Sequence, residues 1–482
     1  MARNNLFIHR EEYVYLAGLT HDTVIIAWGA FFFKVNGDLD TGKWNIVDDD
    51  ALNDMGTARS NLIGASSASY APNGAAEVTI TDESGNSRTE LFNGANHAQF
   101  SGLKANTRYS YSVKINGKAW GGTQLRDWVI ENGEGAMRLS GRDYKNEFHT
   151  FPDPEKASPP VAFIVLGDFG RGVRTPSEGE TCQREIAEAI DKAVVTHDVR
   201  FMITTGDNIY HGKKQGSGGQ DDDWFFTFFQ PYRHVINRVP VFPCVGNHDD
   251  GETFGESSDD RTQLYDNLHI KNRFLKFISS GEASLDPGLF YRFRFGSDIE
   301  FISIDTSKKR LLFSERYFRH PNHQQFLEAA FPEGRDDSRM WRIPFFHHPP
   351  YCAGPNHSNK NSVIEHLLPK FKRSGVRAAF CGHEHNLQYA LDEGISYFVT
   401  GGGGRFSSDA PGRFKEAKTQ AWGGNNEGHF VLGKIDGAAM TLTPLGKLNE
   451  SGELRSIGIN LINAAVKIPF HVGMSATAAT GM

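Results

Sequence analysis

Through most of the first 145 residues, apolar and polar positions alternate with a period of two. The stretches "EYVYLAG", "TVIIAWG", "AEVTITDESGNSRTELFN", "HAQFSGL" and "TRYSYSVKINGKAWGG" are rich in β-branched and aromatic residues, with Gly and Asn punctuating them. Such alternation turns one face of each strand to a core and the other to water. Short strands at regular spacing predict an all-β sandwich over residues 1–145. Residues 141–160 hold four prolines and many charges, a linker composition, and the linker is set at 146–160.

From residue 161 the pattern changes. "VAFIVLGD" is a continuous apolar run of the kind a buried strand shows. "TCQREIAEAIDKAVV" spaces Ile186, Ala189, Ile190, Ala193 and Val194 at helical intervals, with Thr181 as its expected N-cap. "VRFMITTGD" is the next strand, which completes a β-α-β unit. Further on, "NSVIEHLLPKFKRSG" predicts a helix and "VRAAFCGHEH" a strand. Strands alternating with helices make this region α/β. "GHFVLGKIDGAAMTLTPLG" supplies the closing strands of a domain over 161–450. Residues 451–482 remain as a C-terminal extension ending in "MSATAATGM", a frayed terminus by composition.

Five apolar runs of the second region end on side chains that can hold a metal. Asp168 follows "VAFIVLG", and Asp207 and Tyr210 follow "FMITTG". Asn247 and His248 follow "VPVFPCVG", His347 and His348 follow "MWRIPFF", and His383 and His385 follow "AAFCG". The carboxyl edge of an α/β sheet is where sites are built. Oxygen and nitrogen donors without thiolate suit iron, zinc or manganese. So many donors exceed what one ion takes and suit two ions sharing a bridging carboxylate. His383 and His385, two apart on an extended segment, point the same way about 6.5–7 Å apart, so each can serve a different ion of a close pair.

Composition narrows the function classes. The chain has 482 residues, 39% hydrophobic and 23% charged, enough for two or three folded domains. Its net charge of −7 gives no basic footprint for nucleic acid and no membrane-attracting patch. A negatively charged substrate must therefore be drawn in by a local feature such as a metal site. The longest apolar stretch, "TVIIAWGAFFF", is about half the ~20 residues a spanning helix needs. The start shows no apolar leader core. The expected location is cytoplasmic if Met1 is the native start, or secreted or periplasmic if a signal peptide has been removed. Cys182, Cys244, Cys352 and Cys381 are scattered, which predicts free buried thiols and no disulfide framework. "WFFTFF" and "AFFF" are expected in core or interdomain packing, and "DDDWFF" as an acidic loop leading into a helix. "GGGG" lacks the GK[ST] of a phosphate loop and is expected as a tight turn near the site.

The order "GDFG", "GDNIY", "GNHD", "HHPPY", "GHEH" resembles that of the purple acid phosphatases within the calcineurin-like metallophosphoesterases, over residues 161 to about 435. "FSGLKANTRYSYSVKING" similarly resembles a strand pair of a fibronectin type III domain. The resemblance implies a metallophosphoesterase sandwich of mixed β-sheets flanked by helices, preceded by the all-β domain. It implies that Asp168, Tyr210 and His385 bind Fe(III), and that Asn247, His347 and His383 bind a divalent ion, Fe, Zn or Mn. Asp207 would bridge the two. His347 is preferred to His348 because the family histidine precedes one residue and then proline, here Pro349. His248 and His357 occupy positions where relatives contact phosphate, with His248 placed to protonate the leaving group. The implied reaction is hydrolysis of small phosphate monoesters by in-line attack of a metal-bound hydroxide. A phosphodiesterase or nucleotide pyrophosphatase on the same centre is one alternative, and a non-catalytic binding protein with a relic metal site is another. Oligomeric state and the role of the β domain are not specified.

Overall fold

A computed structural model of the chain describes all residues except 1–5, 47–74, 94, 122–125, 141–144, 175–178, 180, 211–223, 250–263, 265–266, 270–289, 307–320, 334–339 and 474–482. The alternating amino-terminal segments form antiparallel sheets. Leu6–Ala17 and Thr23–Asn36 pair along their length, and Lys43–Ile46 and His97–Ser101 join Thr23–Asn36. A second sheet runs through Glu147–His149, Arg108–Ile115, Ala75–Asp82 and Ser87–Asn93. On Arg108–Ile115 the pattern is strictly alternate, with Tyr109, Tyr111, Val113 and Ile115 inward. The Tyr109 hydroxyl accepts the Lys104 N–H at 2.9 Å, which closes the turn before that strand. A further hairpin joins Arg126–Glu131 to Glu134–Leu139. Asn132 and Gly133 both have positive φ at its turn, as an Asn-Gly hairpin requires.

Two mixed sheets carry the rest. In the first, β1 (Val161–Leu166) and β2 (Val199–Thr204) are parallel neighbours, joined by helix α1 (Gln183–His197), and β3 (Val241–Pro243) lies parallel beside β2. Phe430–Asp436, Ala439–Leu445 and Phe470–Gly473 extend it on the β1 side. In the second, Ile299–Ser303, β4 (Trp341–Phe345), β5 (Ala378–Cys381) and Ile395–Thr400 are parallel. Phe163 and Phe201 of the first sheet meet Phe301 of the second at 5.1 and 5.0 Å between ring centroids. This aromatic layer sets the two parallel edges side by side.

Several boundaries differ from the sequence reading. The N-cap of α1 is Cys182 and not Thr181, which forms an isolated bridge with Arg405 instead. The helix expected over "NSVIEHLLPKFKRSG" is two short ones, α2 (Asn361–His366) and α3 (Leu368–Arg373). Pro369 explains the break, because its ring opposes the carbonyl four residues earlier and it offers no N–H. Glu147–His149, inside the expected linker, is a strand. Ile459–Leu461 and Phe470–Gly473, inside the expected extension, pair into both large sheets. Residues 221–223 of "DDDWFF" and the "MSATAATGM" tail lie outside the described residues. All four cysteines are free and buried. No helix is long and apolar enough to cross a membrane among the described residues.

"WFFTFF" becomes one turn of π-helix, Phe225–Phe229, wholly buried. Tyr13 and Phe31 of the amino-terminal sheet pack on Phe225 and Phe229 with centroids 5.2–6.1 Å apart. Phe225→Ala is expected to cost about 3–5 kcal/mol of stability, the usual range for removing a buried phenylalanine. Leu91→Ala, at an exposed position, is expected to stay within about 0.5 kcal/mol. Chemical denaturation of both variants checks this.

Candidate metal centre

β1, β2, β3, β4 and β5 all point their carboxyl ends to one edge, and each is followed by a turn that carries polar side chains. The turns are tight. Asp168, Asp207 and His383 adopt φ of 53°, 50° and 73°, a left-handed region sparsely used by residues other than glycine. Strain of this kind persists where the surroundings over-determine it. The glycines before Asp207 and Asn247 have no room for a side chain. A Cβ on Gly206 would lie 2.7 Å from His347 Nδ1, and one on Gly246 would lie 2.1 Å from Asp207 Oδ1.

Two groups of donors result. In one, the Tyr210 hydroxyl lies 3.3 Å from Asp168 Oδ1 and 3.1 Å from His385 Nε2. In the other, His347 Nε2 lies 2.8 Å from Asn247 Oδ1 and 3.1 Å from His383 Nδ1. Asp207 faces both, with Oδ1 3.5 Å from His347 Nε2 and its carboxylate bonded by the Tyr210 phenol. His383 and His385 thus turn to different groups, as expected, but from a bend after β5 and not from the extended segment expected, since His383 has a φ of 73°. His348 stays apart from this set in one respect: its Nδ1 is 3.2 Å from Thr306 Oγ1. It nevertheless lies within 4.8 Å of His347 and His383 by ligand atoms, as Asp168, Asp207 and His347 do among themselves.

The protons decide what these groups can bind. His347 Nδ1–H donates to the Thr205 carbonyl at 2.8 Å, which turns Nε2 toward the other donors. Asn247 Oδ1 faces Nε2 at 2.8 Å, and with the Nε2 proton displaced both atoms offer lone pairs. A cation satisfies both. Two donors at right angles, each about 2.1 Å from one ion, lie about 3.0 Å apart. The spacings here run from 2.8 to 3.5 Å. Burial raises the Asp168 carboxyl well above the usual range, with the nearby Asp207 charge adding to it. Burial opposes ionisation of Asp207 too, but His347 and His248 outweigh it and hold its carboxyl low. Burial, then Asp207 and Asp168, push the Tyr210 phenol far up. Burial lowers His385 to about 4, so its ring is neutral and a donor.

His248 and His357 stand beside the donors. The His248 N–H donates to Asp207 Oδ1 at 2.9 Å, and its ring lies 4.3 Å from that of Tyr210. The His357 ring lies 3.7 Å from that of His383.

Residues the sequence reading passed over hold this arrangement. Asp249 accepts from Gly246, Asn208 and Ile209 N–H groups and from the Asn208 side chain at 2.8–3.1 Å. It ties the turn after β2 to the turn after β3, and its place as the last residue of "GNHD" was the available signal. Burial and the Asp207 charge push it up to about 7 all the same. Glu384, fully buried between the two histidines, accepts the Asn356 and His357 N–H groups at 3.0 and 2.7 Å. "GGGG" lies against the site as expected: a Cβ on Gly401 would be 2.8 Å from Asp168 Oδ2. Cys381 packs in the core and contributes no donor to either group.

Comparison with known proteins agrees with this geometry. The profile of the calcineurin-like phosphoesterases matches residues 161–387. Purple acid phosphatase 3 of Arabidopsis thaliana is 26% identical over 281 residues, 54% of this chain and 67% of that protein. Tartrate-resistant acid phosphatase type 5 of Oryctolagus cuniculus is 27% identical over 269 residues, 52% of this chain and 75% of that protein. The purple acid phosphatase PPD1 from yellow lupin seeds shares the fold across 96% of this chain and 76% of its own, with a TM-score of 0.58 at 14% identity. PhoD covers 93% of this chain and 88% of its own at a TM-score of 0.56 and 13% identity. Five strand ends gather oxygen and nitrogen donors at one sheet edge within residues 161–387, the stretch that matches the calcineurin-like phosphoesterase domain, and the similarity to purple and tartrate-resistant acid phosphatases makes the protein a hydrolase of phosphoric esters.

Proposed function

We propose that the protein is a binuclear phosphatase that hydrolyses small phosphate monoesters. The observation that carries this is the pair of donor groups joined by Asp207, with nitrogen and oxygen donors 2.8–3.5 Å apart. Asp168, Tyr210 and His385 would hold Fe(III), Asn247, His347 and His383 a divalent Fe, Zn or Mn, and Asp207 would bridge them. When bound, the ions supply positive charge that acidifies water and draws the phosphate oxygens in. That local charge is what a chain of net charge −7 needs to attract an anionic ester.

The chain's own residues do the remaining work. His248 is held over the Tyr210 ring by its backbone bond to Asp207, where it gives a proton to the departing alkoxide. His357 is fixed from below by Glu384, which takes its N–H and lies 3.4 Å from Nδ1. The contact fixes where the His357 ring stands, beside the donors, where a phosphate oxygen would meet it. Thr205 holds the His347 tautomer, and Asp249 and Asn208 hold the two turns that carry Asp207 and Asn247. The names of the relatives support a monoester as substrate, since several are called acid phosphatases.

Three expectations follow from these roles. Loading with Zn(II) or iron raises the thermal midpoint, by the equivalent of about 2.7 kcal/mol at a free concentration of 100 Kd, and His347→Ala loses most of that shift. The iron-loaded protein is purple from tyrosinate-to-ferric charge transfer, because only a strongly charged ion can draw the proton from a phenol whose burial resists ionisation. Tyr210→Phe bleaches the visible band, and a colourless, fully active, iron-free enzyme contradicts the ferric assignment. His248→Ala lowers kcat on an alkyl phosphate by about 10²–10⁴ while elemental analysis shows metal content unchanged. Rates on a matched chromogenic monoester and diester decide the class, and a diester preference replaces the phosphatase with a phosphodiesterase on the same centre.

A further inference from the structure

A cavity of about 740 Å³ opens beside His383 and His348. Cavities of this size hold ligands much larger than a phosphate group. Its wall carries Lys360, Arg413, His357 and His348, with neutral polar Asn356 and Ser358 between them. No carboxylate and no Phe, Tyr or Trp stands among the described lining residues. That is an unusual surface for a chain with 58 acidic residues against 51 Lys and Arg.

The wall is built in advance of any ligand. Glu384 takes the Asn356 and His357 N–H groups, and the Asn359 side chain accepts the Cys352 N–H at 2.8 Å and donates to the Glu416 carbonyl at 3.1 Å. The Lys360 N–H donates to the Pro349 carbonyl at 3.1 Å. One Arg413 NH2 donates to the His357 carbonyl at 2.8 Å, which sets the guanidinium at the cavity rim. A loop pinned at each of these points loses little entropy on binding.

We propose that this cavity is a second anion subsite, in which Lys360 and Arg413 bind a further phosphoryl group of the substrate, so that small bisphosphorylated molecules are preferred to monophosphates. This rests on the phosphatase reading above. A wall that carries Lys360 and Arg413, no carboxylate and no Phe, Tyr or Trp suits a compact polyanion better than a nucleobase. Lys and Arg donors also contribute charge-assisted bonds, each worth roughly ten- to a hundredfold in affinity.

The test uses the metal-loaded full chain and compares kcat/KM for glucose 1,6-bisphosphate and glucose 6-phosphate by phosphate release. The wild type is expected to prefer the bisphosphate by about tenfold or more, and added salt should shrink the preference. In Lys360→Met combined with Arg413→Gln the ratio should fall to near unity, with the monophosphate rate as internal reference for folding and metal loading. A wild-type ratio near unity, or a ratio that survives the double substitution, overturns the subsite. If the metal-loaded wild type hydrolyses neither sugar phosphate nor a chromogenic monoester, the phosphatase reading itself falls, and the subsite with it.

Discussion

Asp207 is 2% exposed, and it shares the interior with two other buried carboxylates, Asp168 and Asp249. Crowding of that kind is costly without compensation. Asp168 and Asp249 respond by holding their protons more tightly, while Asp207 stays ionised against His347 and His248. Around them His347 Nε2 lies 2.8 Å from Asn247 Oδ1 and 3.1 Å from His383 Nδ1. The fold keeps donors close that would repel one another if left to themselves. Positive charge at the centre would resolve the repulsion, and the tight turns, the glycines without room for a side chain and the left-handed Asp168, Asp207 and His383 hold the donors in place for it.

The rest of the structure holds that cluster still. Two sheets meet across an aromatic layer, so the ends of β1 to β3 and of β4 and β5 arrive at one edge. The amino-terminal sheets share the same core. Tyr13 and Phe31 clasp the Phe225–Phe229 turn, the Tyr111 hydroxyl donates to the Asn237 carbonyl, and the Leu16 N–H donates to the Ile236 carbonyl. These bonds end on the segment that leads into β3, which places Asn247. A substitution in the amino-terminal sheet can therefore reach the site through packing alone.

How much of this was legible in the sequence depended on period and on range. The alternation on Arg108–Ile115 and the apolar runs of β1 and β2 are local signals, and the structure has strands there. The site followed from counting donors after each run, because a turn at a strand's carboxyl end has one place to go. What escaped is set by contacts between distant residues. Asp249 reads as a polar turn residue until Asn208 is brought beside it, 41 positions away in the chain. Glu384 reads as a spacer between histidines until the 356–357 loop folds over it. The short strands Ile459–Leu461 and Phe470–Gly473 carry weak periodicity and exist because sheet edges were waiting for them. The break at Pro369 was local and visible, but apolar periodicity masked it.

The central claim is that Asp168, Tyr210 and His385 on one side and Asn247, His347 and His383 on the other surround two ions bridged by Asp207. Anomalous diffraction from crystals of the iron- and zinc-loaded protein, collected at both absorption edges, tests it most directly. Two peaks about 3.5–4 Å apart, on either side of the Asp207 carboxylate, are the predicted result. A single peak, or peaks away from these side chains in fully loaded crystals, would contradict it.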